Sequence, residues 1–155
     1  MTSNNSNNFQ KNKNYSQINI KNLTDKLFPP CIKLILNGMK DGRKRALFVL
    51  INFFRTLNLD KDELEKRIYD WNKKNTPELK QGYIKSQLTW SYSKKPLLPP
   101  NCKEYYQNLG VCKPDNLCKR IKNPVNYPVL KDKIENPKNS KKKTSKKKIT
   151  KKKKS

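Results

Sequence analysis

The residues most able to do chemistry in this chain are its four cysteines, Cys31, Cys102, Cys112 and Cys118. Cys31 follows Phe28-Pro29-Pro30, and Cys102 follows Pro99-Pro100-Asn101. The 155-residue chain contains no histidine. Four thiols in a basic, intracellular-looking sequence point to one all-cysteine site for zinc or an iron–sulfur cluster. The gaps between them are 70, 9 and 5 residues, with no CxxC pair. Zinc ribbons space their ligands two to four residues apart, so the spacing favours a larger [4Fe–4S] group fed by separate segments. Zinc stays open as the alternative, and four unrelated thiols is the plainest reading. Prolines just before Cys31 and Cys102 fix the backbone near each sulfur.

Other chemistry is poorly supplied. Without histidine, the Ser-His and Cys-His nucleophile pairs are absent. There is no P-loop and no dinucleotide glycine fingerprint. Asp41 and Asp115 stand apart, while Asp60, Asp62 and Glu63 are explained by helix capping. The expectation is a chain with no active site of its own.

The charge indicates a binding role. The net charge is +25. Residues 28–128 carry 20 Lys/Arg against 9 Asp/Glu, and the last 27 residues carry 13 Lys against 2 acids. A polyanionic partner follows, with nucleic acid ahead of an anionic membrane. No signal peptide, transmembrane run or basic amphipathic helix is expected.

Two further groups fit phosphate and bases. Gly42-Arg43-Lys44-Arg45 opens an apolar helix, where arginine forks and helix amides suit phosphate oxygens. The competing view is a solvated first turn. In Lys80-Gln81-Gly82-Tyr83-Ile84-Lys85, an aromatic lies between basic side chains and could stack on a base. The competing view is that Tyr83 and Ile84 are core. The C-terminal lysines are low-complexity and adhere to phosphate without sequence preference.

The elements that must position these residues are helical. The pattern predicts a polar, disordered segment over 1–27, a folded region over 28–128 and a disordered Lys-rich tail over 129–155. Helices are expected from about Cys31 to Met39, from Arg43 to Asn58 as the buried central helix, from a capping box at Asp60 to before Asn75, and from Gly82 to about Trp90. A short helical turn near Tyr105 links Cys102 to Cys112, and the remainder is irregular around Pro114, Pro124 and Pro128. No strand pattern is present. The fold class is therefore mainly α, a small helical domain organised around a four-cysteine site.

Taken in order, several motifs resemble the C-terminal iron–sulfur domain of the archaeal and eukaryotic DNA primase large subunit. They are Phe28-Pro29-Pro30-Cys31-Ile32-Lys33, Gly42-Arg43-Lys44-Arg45-Ala46-Leu47-Phe48, Gly82-Tyr83-Ile84, Leu98-Pro99-Pro100-Asn101-Cys102, Gly110-Val111-Cys112, and Cys118 followed by Ile121-Lys122-Asn123-Pro124-Val125-Asn126-Tyr127. The resemblance covers about residues 28–128. It implies a helical fold around a [4Fe–4S] cluster held by Cys31, Cys102, Cys112 and Cys118. It implies help in starting an RNA primer, through contact with single-stranded template or a primer–template junction and with a 5′-triphosphate end. The corresponding contacts fall on Arg43 and Arg45, with Lys44 beside them, and on Tyr83 and more loosely Lys85. It also points to a catalytic primase small subunit as a candidate partner, and to a nucleoid-associated cytoplasmic location in an archaeon or a nuclear one in a eukaryote; no membrane partner is expected from the sequence features above. The family's N-terminal docking domain has no counterpart in this sequence, which suggests a stand-alone or split large subunit.

Overall fold

In the computed structural model, residues 18–21 and 23–136 are described. The expected N-terminal segment and lysine tail therefore lie largely outside the described residues. The described chain is mainly helical, and no strand occurs among the described residues.

A 3-10 turn at Asp25–Leu27 leads into α1 (Pro30–Leu36), with Pro30 in its first turn. α2 (Arg43–Thr56) follows, then α3 (Lys61–Asn72), α4 (Gln81–Tyr92) and the short α5 (Glu104–Asn108). A second 3-10 turn at Leu117–Arg120 precedes α6 (Asn126–Glu135).

α2 is the central helix, as its unbroken apolar run predicts. Nine of its fourteen residues are buried, from Ala46 to Thr56. α3 and α4 both pack on it, α3 through Leu64, Ile68 and Trp71, and α4 through Ile84 and Leu88. It ends earlier than expected, because Asn58 takes a left-handed conformation (φ 61°) and releases the chain. Asparagine tolerates that region better than most residues.

α1 is shorter than its pattern suggests, stopping at Leu36. Gly38 (φ 110°) turns the chain so closely against Lys74 that a Cβ would lie 2.2 Å from that residue's carbonyl oxygen. Buried amides seal this junction. Trp71 Nε1 donates to the Ile35 carbonyl at 2.8 Å, and the Met39 amide donates to Asn75 Oδ1 at 2.8 Å. Asn72 accepts from the Leu79 amide and donates back to its carbonyl, at 2.7 and 2.9 Å. Buried polar groups are tolerated because each finds a partner.

The capping box at Asp60 is not made. Asp60 is the N-cap residue, but its side chain caps nothing. Glu63 instead accepts from Arg67 Nε at 2.9 Å, and Arg67 also reaches Asp25 at 2.8 Å. That guanidinium lies over Phe28 and Phe54, 5.8 Å from each ring centre, so aromatic contact and two carboxylates compete successfully with local capping.

Regular structure also extends past both expected borders of the folded region. Ile18, Ile20 and Leu23 pack on the core, and Leu27 is buried. Residues around Pro124 and Pro128, expected to be irregular, lead into α6, which runs to Glu135. Pro128 sits in its first turn, where a missing amide hydrogen costs nothing. α6 packs against both 3-10 turns and so draws the two ends of the described chain together.

Candidate metal centre and basic face

The four cysteines, distant in sequence, line one cavity of about 640 Å³. Each is half-buried, and each is a free thiol. Cys31 lies in the first turn of α1, and its approach is anchored by Phe28. That ring packs on Phe53 and Phe54 at 5.3 and 5.9 Å between centres. Cys102 sits in the loop before α5, Cys112 follows α5, and Cys118 lies within the second 3-10 turn.

Each loop is tied down by residues that sequence reasoning missed. Asn123, buried, donates to the Pro99 carbonyl at 2.8 Å and to Asn101 Oδ1 at 3.1 Å, and accepts from the Val125 amide at 3.1 Å. The Cys102 amide donates to the Lys122 carbonyl at 2.8 Å, and Tyr106 donates to the Pro100 carbonyl at 2.8 Å. Just past Cys102, Lys103 adopts φ 76° and ψ −100°, a strained turn for a residue with a Cβ. Asp115, which looked isolated in sequence, accepts from the Leu117 and Cys118 amides at 3.0 and 3.2 Å. The available signal was the Pro114-Asp115-Asn116 turn three residues ahead of a cysteine.

Burial dominates the electrostatics of the thiols. It pushes Cys31 up to about 12, with Cys102 and Cys118 adding to the shift. Cys102 is pushed up to about 11, again by burial first and then by Cys118 and Cys112. Cys118 is also raised, chiefly by burial. The thiols thus sense one another across the cavity. Among the described residues, no three or more Cys, Asp or Glu side chains gather tightly enough for a single metal ion. The rim carries Lys103, Lys113, Lys119 and Lys122.

The other predicted residues lie on the α2 and α4 side. Gly42 (φ 74°) caps α2 and lies against Leu109, where a Cβ would come within 2.6 Å of that side chain. This contact sets the basic start of α2 beside the end of α5. Arg43 is committed to structure, its Nε and Nη1 donating to the Lys40 and Pro77 carbonyls at 2.9 and 2.6 Å. Arg45 is exposed near Tyr105 and Gly42. Lys44 places its ammonium 4.7 Å from the centre of the Tyr83 ring, which joins the two predicted binding groups across α2 and α4. Ile84 is fully buried in the core, and Tyr83 is half-buried and packs against it. Lys85 is exposed two residues on and faces away from Tyr83 on the helix.

Among known proteins, the chain is similar to the DNA primase large subunit PriL of Pyrococcus abyssi (strain GE5 / Orsay), 27% identical over 75% of this chain. The similarity supports the primase large-subunit family. The match covers 39% of that relative, so the chain spans about two fifths of its length. No protein-family model matches the chain, and no solved structure matches it. No helix among the described residues is long and apolar enough to cross a membrane.

Proposed function

We propose that the chain is a non-catalytic, nucleic-acid-binding domain of a DNA primase, folded around a [4Fe–4S] cluster held by Cys31, Cys102, Cys112 and Cys118. The observation that carries this reading is the meeting of all four cysteines on one cavity, in a chain similar to a primase large subunit. The donor set fits the group: four cysteine sulfurs line one cavity of about 640 Å³. When bound, the cluster would supply cross-links between four chain segments. Burial that raises the thiol pKa values would make loading release protons.

The basic face supplies binding. Arg45 and Lys44 would meet the phosphates of a 5′-triphosphate end, with Arg43 holding the loop that presents them. Tyr83 would meet the template strand or a primer–template junction, and Lys85, on the opposite side of α4, would not share that contact. Primer synthesis itself would belong to a catalytic small subunit. The test is binding of 5′-triphosphate and 5′-hydroxyl oligonucleotides by the full chain. Preference for the triphosphate end, lost in Lys44→Ala with Arg45→Ala, supports the reading. Equal binding of both ends contradicts it.

A further inference from the structure

The charge on this protein is partitioned by helix. Residues 42–59 and 79–103 hold nine Lys/Arg and no acid, whereas the rest of 28–128 holds eleven Lys/Arg and nine acids. The first two segments contain α2 and α4, which lie side by side and run the same way. Lys44 meets Tyr83 at their starts, and Arg55 donates to the Ser91 and Lys94 carbonyls at their ends.

Along this acid-free seam the exposed and half-buried groups fall in two stripes. On α4, Tyr83, Gln87 and Trp90 recur at steps of four and three, which places them on one face beside the buried Ile84 and Leu88, and Lys94 follows just past the helix end. On α2, Lys44 and Phe48 stand one turn apart. Trp90 is 50% exposed and Phe48 40%, large values for such side chains beside a basic helix pair. Each end of the α4 stripe carries the same device, an aromatic ring beneath a lysine. Lys44 is 4.7 Å from the Tyr83 ring centre, and Lys94 is 5.0 Å from that of Trp90.

We infer that Trp90, with Lys94, is a second stacking platform for single-stranded nucleic acid, and that the strand runs along the α2–α4 seam from Tyr83 to Trp90. This rests on the nucleic-acid reading above and extends it to a strand path. Seven residues of helix separate the platforms by about 10 Å. A stacked strand advances about 3.4 Å per nucleotide, so the path spans roughly three nucleotides. Aromatic faces accept any base, while lysines beside them hold the phosphates, so the seam takes a single strand without sequence preference. A duplex keeps its bases stacked on one another and offers the rings nothing. The absence of acids from both helices favours this polyanion over a protein surface.

The test uses tryptophan fluorescence of the full chain. Trp71 is buried (1% exposed), so Trp90 is the solvent-reached indole of the two. Oligothymidylate should quench the exposed component, and inorganic polyphosphate, with charge but no bases, should not. Trp90→Ala should weaken oligothymidylate binding roughly tenfold with the salt slope unchanged, while Trp90→Phe retains most of it. Lys94→Ala should lower the salt slope by about one. If the chain binds oligothymidylate but Trp90 is not quenched and Trp90→Ala binds as the parent does, the strand path is wrong and the nucleic-acid reading stands. If oligothymidylate does not bind at all, both fall. Equal quenching by polyphosphate would also overturn the stacking role. Circular dichroism of each variant separates lost binding from lost fold.

Discussion

Tyr127 donates its hydroxyl to Asp115 Oδ2 at 2.5 Å, and the other oxygen of that carboxylate holds the amides of Leu117 and Cys118. A residue of α6 thereby fixes the turn that presents the last cysteine to the cavity. Burial pushes the Asp115 carboxyl up, but the bonds from Tyr127 and the two amides outweigh it and hold it below the usual range. Tyr127→Phe keeps the ring and removes the bond. It should cost about 1 kcal/mol of stability and speed alkylation of Cys118 in metal-free protein, leaving Cys31 as slow as before. Mass spectrometry after timed alkylation checks this; equal rates at Cys118 in both proteins would contradict it.

Metal-free chain should be labile in alkali, with a defined sign. Cys31 is raised from 9.0 to about 12, and Cys102 from 9.0 to about 11, burial being the first cause in each. The unfolded chain loses these protons near pH 9, before the folded chain does. Their contribution is therefore fully present below about pH 9 and is lost as pH climbs through about 11 to 12. Urea midpoints at about pH 8 and about pH 10.5, under reductant, should fall more steeply for the parent than for Cys31→Ala. Parallel curves would refute the assignment.

Gly38→Ala should be among the more damaging small substitutions in the core. The added Cβ would meet the Lys74 carbonyl, and φ 110° is strained for alanine. A loss of about 2 kcal/mol or more is expected, seen as a lower thermal midpoint. The opposite holds at Lys103, whose φ of 76° already strains a Cβ. Lys103→Gly should leave the midpoint unchanged or raise it.

The lysine tail and the start of α2 should separate by salt dependence. Removing residues 137–155 should weaken all nucleic acids about equally and flatten the salt slope, since each lysine lost releases fewer counterions. Arg45→Ala should instead lower the preference for a triphosphate end. Arg43→Ala should do so with a fall in stability, because its guanidinium holds the Lys40 and Pro77 carbonyls. A tail deletion that alone abolished end preference would displace the phosphate site from α2.

Much of this was readable in the sequence where one residue type has one strong preference. The apolar run from Ala46 to Ile51, within a longer helix-forming stretch, marks the central buried helix even though Phe48 within it is 40% exposed, and the prolines before Cys31 and Cys102 mark fixed backbone. The spacing of the cysteines showed four candidate ligands but not that Asn123, Asp115 and Tyr127 hold their loops. Those contacts link segments up to 24 residues apart and have no periodicity to reveal them. Capping at Asp60 failed for a related reason: Arg67, through Asp25, Phe28 and Phe54, offered Glu63 a stronger partner than the local backbone. Trp90 was invisible as a site because a lone tryptophan in a helix looks the same whether it faces the core or the solvent.

Whether Cys31, Cys102, Cys112 and Cys118 hold a [4Fe–4S] cluster is tested by metal analysis of chain purified without oxygen. Iron and sulfide should be present in equal amounts, about four of each per chain, with a brown visible absorption that Cys102→Ser abolishes. One zinc per chain and no colour would contradict it and leave a zinc-stapled basic binding module in its place.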